Sequence, residues 1–188
     1  ELEGAGIENN PVNRCYLCKK YMFTKVKELA HSLGISTILE GTNADDLKQY
    51  RPGIKAIQEL GLHSPLLEAN MTKKEIRELA STYDLKAANK PSSPCLATRF
   101  PYNTLLNYEE MRKVEKIEDY LHTLGFYNVR ARIHNDLVRL EVDQDAFMKC
   151  MDKRQEIVLF IKELGYDYVT LDLEGFRSGS QDIKLEGK

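Results

Sequence analysis

Cysteine is scarce. Four thiols in 188 residues are too few for a disulfide scaffold, so the Cys-x-x-Cys pair of Cys15 and Cys18 points to metal or redox chemistry in a reducing compartment. No apolar run approaches the roughly 18 residues of a membrane-spanning helix, and the opening ELEGAGIENN lacks the basic and apolar regions of a signal peptide. The expected setting is the cytoplasm, with no membrane partner. An excess of one charge is missing as well. A net charge of -2 and a pI near 6.2 argue against a nucleic-acid partner, although they leave room for a local arginine patch. There is no low-complexity linker, and the length suits one good core or two small ones. The first residue is Glu1 rather than Met, which points to a fragment.

The residues that are present fall into two patterns. Cys15, Cys18, Met22, Val26, Leu29 and Leu33 recur every three or four positions, predicting a helix that ends before Gly34 with both thiols on its inner stripe. STILEGTN reads as a short buried strand leaving through Gly41, and RPG marks a break between helical pieces. Thr72 and Glu75 form a capping box that opens a helix through Ile76, Leu79, Ala80 and Tyr83. This half reads as part of an α/β sheet. Farther on, Met111, Val114, Ile117, Leu121 and Leu124 make a helix stripe closed by Gly125. YNVRARI and LVRLEV then alternate around HND as a hairpin, with Arg130, Arg132 and Arg139 on its polar face. A last helix from about Gln144 to Leu164 feeds the strand DYVTLDL, so that HTLGFYNVRARI and KELGYDYVTLDL read as two copies of one unit. This half is an α+β lobe, with the boundary expected near Phe100 to Leu106.

Cysteine carries the chemistry. KPSSPCLATR places Cys95 in irregular chain, because Pro91 and Pro94 lack donors and Pro94 disfavours helix at Ser93. Arg99, four residues on, is a cation that would lower a loop thiol's pKa or hold phosphate; the plain alternative is a spacer thiol. Cys15 and Cys18 share a helix face and would hold one metal or cluster, or else continue the core stripe. A structural zinc site needs a second short-spaced pair, which the sequence lacks. Three thiolates with one open position suit a reactive iron-sulfur cluster, with Cys95 as the third ligand. Cys150, between Met148 and Met151, reads as packing. Asp45 and Asp46 in GTNADD follow the predicted strand, at the sheet end where open α/β folds bind ligands. Arg130, Arg132 and Arg139 would either clamp a phosphate or form a solvated face.

Taken in order, NPVNRCYLCKK, EGTNADDLKQYRPG, KPSSPCLATRFPY and LDLEGFRSGS resemble the LarE family of ATP-dependent sulfurtransferases in the PP-loop superfamily. The resemblance implies an α/β fold: residues 1–100 as the C-terminal part of a PP-loop (adenine nucleotide alpha hydrolase-like) nucleotide-binding domain with the cysteine loop, and 101–188 as a small α+β lobe. It implies ATP with Mg, a nucleotide site using Gly41 and Asp45, and a pyridinium-3,5-biscarboxylic acid mononucleotide substrate, in building a nickel-pincer nucleotide cofactor. Cys95 matches the cysteine that attacks the adenylated carboxylate. In one class of the family that cysteine gives up its own sulfur; in the other, three cysteines hold a 4Fe-4S cluster, and Cys15, Cys18 and Cys95 match the second. Arg130 and Arg132 match the region that binds substrate phosphate, Arg99 is a further substrate contact, and homo-oligomers are expected. The family's Ser-Gly-Gly-x-Asp-Ser loop is absent. The chain is therefore expected to be a carboxyl-terminal fragment that does not adenylate substrate alone. The rival readings are a tRNA-thiolating or amidating PP-loop ligase and a non-catalytic metal-binding or assembly module.

Overall fold

The computed structural model describes residues 2–49, 51–89, 94–177 and 180. The chain divides into two compact units, Glu1–Lys90 and Pro91–Lys188. Cys95 falls in the second unit, whereas the expected lobes, 1–100 and 101–188, grouped it with the first. Its neighbours Ala97, Arg99 and Phe100 are buried in that second unit. Among the described residues no helix is long and apolar enough to cross a membrane.

The first unit is built from helices α1 (Leu2–Ala5), α2 (Arg14–Ser32), α3 (Gly53–Leu60), α4 (Pro65–Glu68) and α5 (Lys73–Thr82). Helix α2 ends where Gly34 takes φ +71, a left-handed conformation that costs other residues strain. Its partner is α3. A Cβ on Gly53 would lie 2.7 Å from Lys19 Cδ and 3.3 Å from the Cys15 carbonyl oxygen, so glycine lets the two backbones approach. The apolar stripe is not where the sequence places it. Met22, Val26, Leu29 and Leu33 are all exposed, Leu29 at 61% and Leu33 at 65%, while α2 buries Arg14 and Ala30.

The strand expected over STILEGTN is reduced to one parallel bridge, Leu39 with His63, made by Glu40 N–H to His63 O at 2.9 Å and His63 N–H to Ile38 O at 3.1 Å. A ladder needs successive partners, and the described chain supplies one. The capping box of α5 is present: Thr72 N–H donates to Glu75 Oε2 at 2.8 Å and Glu75 N–H to Thr72 Oγ1 at 3.3 Å. Even so, α5 buries none of its residues.

The second unit contains α6 (Tyr108–Thr123), β1 (Val129–His134), β2 (Leu137–Val142), α7 (Phe147–Asp152), α8 (Arg154–Glu163) and β3 (Tyr168–Leu171). The hairpin forms in the expected register, Val129 opposite Val142 through His134 opposite Leu137, and β3 adds in parallel on the far side of β2. Val129, Ala131, Ile133, Val138, Leu140 and Val142 bury one sheet face with Met111, Val114, Ile117 and Leu121 of α6 and Ile157 and Ile161 of α8. The repeat is real at both helix ends: Gly125 (φ +84) and Gly165 (φ +96) precede the buried Phe126 and Tyr166. The single helix expected from Gln144 to Leu164 is interrupted. A 3₁₀ turn (Gln144–Ala146) leads into α7, which stops at Lys153, where φ of -92° and ψ of 8° separate it from α8. Cys150 is buried on α7, and burial pushes its thiol pKa up.

Candidate functional site

Cys95 opens a 3₁₀ turn, Leu96–Arg99, and is exposed. Its carbonyl accepts Thr98 N–H at 3.0 Å and Thr98 Oγ1 at 2.7 Å. Residues 90–93, including Pro91 and Ser93 of the expected loop, lie outside the described residues. A turn this short has little stability of its own, and its support comes from charged groups beneath it.

Arg99 is 2% exposed. Its Nε and Nη2 donate to the two oxygens of Glu118 at 2.7 and 2.8 Å. Its Nη1 reaches back to Thr98 Oγ1 at 2.7 Å and to the carbonyls of Pro94 and Cys95 at 3.4 and 3.5 Å. Glu118 also accepts Ala131 N–H at 2.9 Å, which occupies the outer edge of β1. Arg99 therefore meets the cysteine segment through carbonyls, and its forked face is committed to a carboxylate.

The sheet face opposite the core is buried rather than solvated. Arg132 pairs in a fork with Glu141, at 3.0 and 3.1 Å, while its other donors reach Ser180 Oγ at 2.6 Å and the Thr98 carbonyl. Glu141 is fully buried and also accepts Arg139 Nη2 at 3.2 Å. Asp172 lies 3.6 Å from Arg139 and 3.7 Å from Arg177. Arg130 packs its guanidinium 4.9 Å from the centre of the Phe176 ring and donates to Val129 O at 2.6 Å. Burial, followed by the repulsion of Arg99, lowers its pKa to about 10. The structure thus brings Cys95, Arg99, Arg130 and Arg132 into one unit with Glu118 and Glu141, two carboxylates that the sequence reading did not single out. Both had a signal. Glu118 falls on the apolar stripe of α6, four residues from Val114 and three from Leu121, and Glu141 faces Arg130 across the hairpin.

In the first unit, Cys15 is exposed and Cys18 partly so, on the opening turn of α2; neither is a core residue. Their turn is fastened to α3 by Tyr16 Oη and Lys20 Nζ, which reach Glu59 Oε2 at 2.7 and 2.9 Å. Asp45 accepts Lys73 N–H and Lys48 Nζ, each at 2.9 Å, and these bonds, the backbone one foremost, lower its pKa. It therefore caps α5 from a distance. Gly41 has open space where a Cβ would stand, and its φ is not positive. Beside it, the largely buried Glu40 accepts Thr42 N–H at 3.0 Å, Thr42 Oγ1 at 2.7 Å and the Ser64 hydroxyl. Among the described residues of either unit, no three His, Cys, Asp or Glu side chains converge on a metal-sized site.

No family model matches the chain. It is 38% identical over 179 residues to the pyridinium-3,5-bisthiocarboxylic acid mononucleotide synthase of Lactiplantibacillus plantarum, covering 95% of this chain and 65% of that protein. It is 38% identical over 181 residues to an uncharacterized Synechocystis protein, covering 95% of this chain and 68% of the relative. The chain belongs to the LarE family. A third relative, an uncharacterized protein of Methanocaldococcus jannaschii, is 33% identical over 172 residues, covering 92% of this chain and 67% of that protein. The LarE-family chain thus spans about two thirds of the length of these relatives.

Proposed function

We propose that this chain supplies the sulfur-transferring part of an ATP-dependent enzyme that thiolates a carboxylate of pyridinium-3,5-biscarboxylic acid mononucleotide, for a nickel-pincer cofactor. The observation that carries the reading is Cys95: an exposed thiol on a turn fastened to a buried arginine–carboxylate layer, in a chain akin to a named bisthiocarboxylic acid mononucleotide synthase. A carboxylate resists nucleophiles until adenylation by ATP with Mg provides a leaving group. The Cys95 thiolate then attacks the activated carbonyl, AMP departs, and a thioester links substrate to protein. Loss of the Cys95 Cα proton and cleavage of its Cβ–S bond leaves a thiocarboxylate on the substrate and dehydroalanine in the chain.

The first unit is read as part of a PP-loop nucleotide-binding domain in a reducing cytoplasm. Gly41, with open space above it, suits close approach of a nucleotide, while Asp45 holds that loop to α5. Arg130 suits the substrate phosphate, because an anion would offset the cost of burying its charge. Arg132 supports it from its pair with Glu141. The family's homo-oligomeric assembly belongs to the same proposal.

A second route is favoured by Cys15 and Cys18, which lie outside the core near the positive end of α2. With Cys95 they are the residues that would hold a 4Fe-4S cluster, and when bound the cluster supplies an extra sulfide to the same carbonyl. The deciding experiment uses a protein that carries both this chain and the Ser-Gly-Gly-x-Asp-Ser loop, given ATP, Mg and the dicarboxylate. Cys95→Ser should still release pyrophosphate as it adenylates the substrate but form no thiocarboxylate; full sulfur transfer by that variant would overturn the reading. A wild-type protein lighter by hydrogen sulfide after one turnover identifies the sacrificial route. Iron bound by wild type and lost in Cys15→Ala and Cys18→Ala identifies the other.

A further inference from the structure

We propose that Glu118 is a positioning residue for Cys95, acting through Arg99; this rests on the reading of Cys95 as the sulfur-handling thiol. Glu118 has three points of attachment. It stands on α6, accepts Ala131 N–H from β1, and grips the Arg99 fork with both oxygens. Arg99 then spans the remaining gap, with Nη1 on Thr98 Oγ1 and near the Pro94 and Cys95 carbonyls. The exposed thiol is tied in this way to a helix and a strand of the core through one buried ion pair.

A buried ion pair adds little net stability over an apolar pair of the same volume, because both charges lose their hydration. A planar fork gripping a carboxylate does fix direction, and a reacting thiol needs its position held to within about 0.5 Å. A second anchor acts in the same sense: Arg132, held by Glu141, donates to the Thr98 carbonyl. The two arginines bracket the turn from its two ends. On this assignment Arg99 is saturated by protein groups and contributes to the reaction by placing Cys95.

The experiment measures amide exchange and single-turnover sulfur transfer in Glu118→Gln and in Arg99→Lys, which keeps the charge and loses the fork. Both are made in the protein that carries the ATP-binding loop. Exchange at Thr98 and Phe100 should rise by about ten-fold while Leu140 on β2 stays within about two-fold, and the single-turnover rate at saturating pyridinium nucleotide should fall by about ten-fold with the half-saturating concentration unchanged. If Glu118→Gln does not fold, Arg99→Lys alone decides by the same readouts. Unchanged exchange at Thr98, an equal rise at Leu140, or an unchanged single-turnover rate would each overturn the assignment. Its failure is separable from that of the functional reading. Sulfur transfer by Cys95→Ser sinks the reading of Cys95 whatever the exchange shows, and flat exchange sinks the role of Glu118 whatever Cys95 does.

Discussion

Arg130 and Arg132 are buried neighbours on one strand face. Arg132 is neutralised by a fork to Glu141, a fully buried carboxylate. Arg132→Met removes that fork from Glu141 and is expected to cost about 3 to 5 kcal/mol, read as a lower urea midpoint at unchanged slope. Burial, followed by the repulsion of Arg99, lowers the folded pKa of Arg130 to about 10, while Glu118 and Glu141 act in the opposite sense. The unfolded chain binds its proton more tightly, so this shift weakens folding below about pH 10, and the effect fades as pH rises above that value. Arg130→Met should weaken phosphate or substrate binding by about 1.5 to 3 kcal/mol. Anion affinity of the wild type should fall as pH rises through about 10. Titration calorimetry with inorganic phosphate at several pH values checks both, and an affinity unchanged by Arg130→Met would contradict the assignment.

At the scale of elements, α5 depends on its ends because it buries none of its residues. Thr72→Ala removes the hydroxyl that accepts Glu75 N–H and should cost about 1 kcal/mol, seen as faster amide exchange over Lys73–Thr82 with α6 unchanged. Elements of this kind were legible in the sequence because their signals are local. The capping box, the Gly125 and Gly165 closures and the period-two hairpin each depend on a few adjacent residues, and each formed. The stripe on α2 and the strand over STILEGTN failed for one shared reason. An apolar pattern states which face seeks cover, and only the rest of the fold states whether cover is there. The break at Lys153 was hidden because the apolar spacing continues on both sides of it. In the candidate site, residue type draws attention to Cys95 and the arginines, whereas Glu118 and Glu141 signal only by position, on the α6 stripe and opposite Arg130, because an acid is by type read as surface.

At the scale of the whole molecule, the two units differ in what they bury. The second encloses a sheet, α6 and α8 around Val114, Ile117, Val129, Ala131, Val138 and Leu140; the first encloses a smaller set, among them Ile7, Ala30, Ala56 and Ile57. Slowest amide exchange is expected at Ala131, Leu140 and their neighbours, and faster exchange throughout α2 and α5, in a single experiment on the intact chain. Equal protection of both units would show that the smaller core is sustained by something other than its own side chains. The buried ion pairs bear on how such a chain changes over generations. Replacing Arg99 before Glu118, or Arg132 before Glu141, passes through an intermediate with a stranded charge, at a cost of about 3 to 5 kcal/mol from a total that is typically about 5 to 15 kcal/mol. Most single steps away from these pairs are therefore closed to selection. Among descendants of a common ancestor, each arginine and its carboxylate should be inherited or lost together, as one heritable character rather than two.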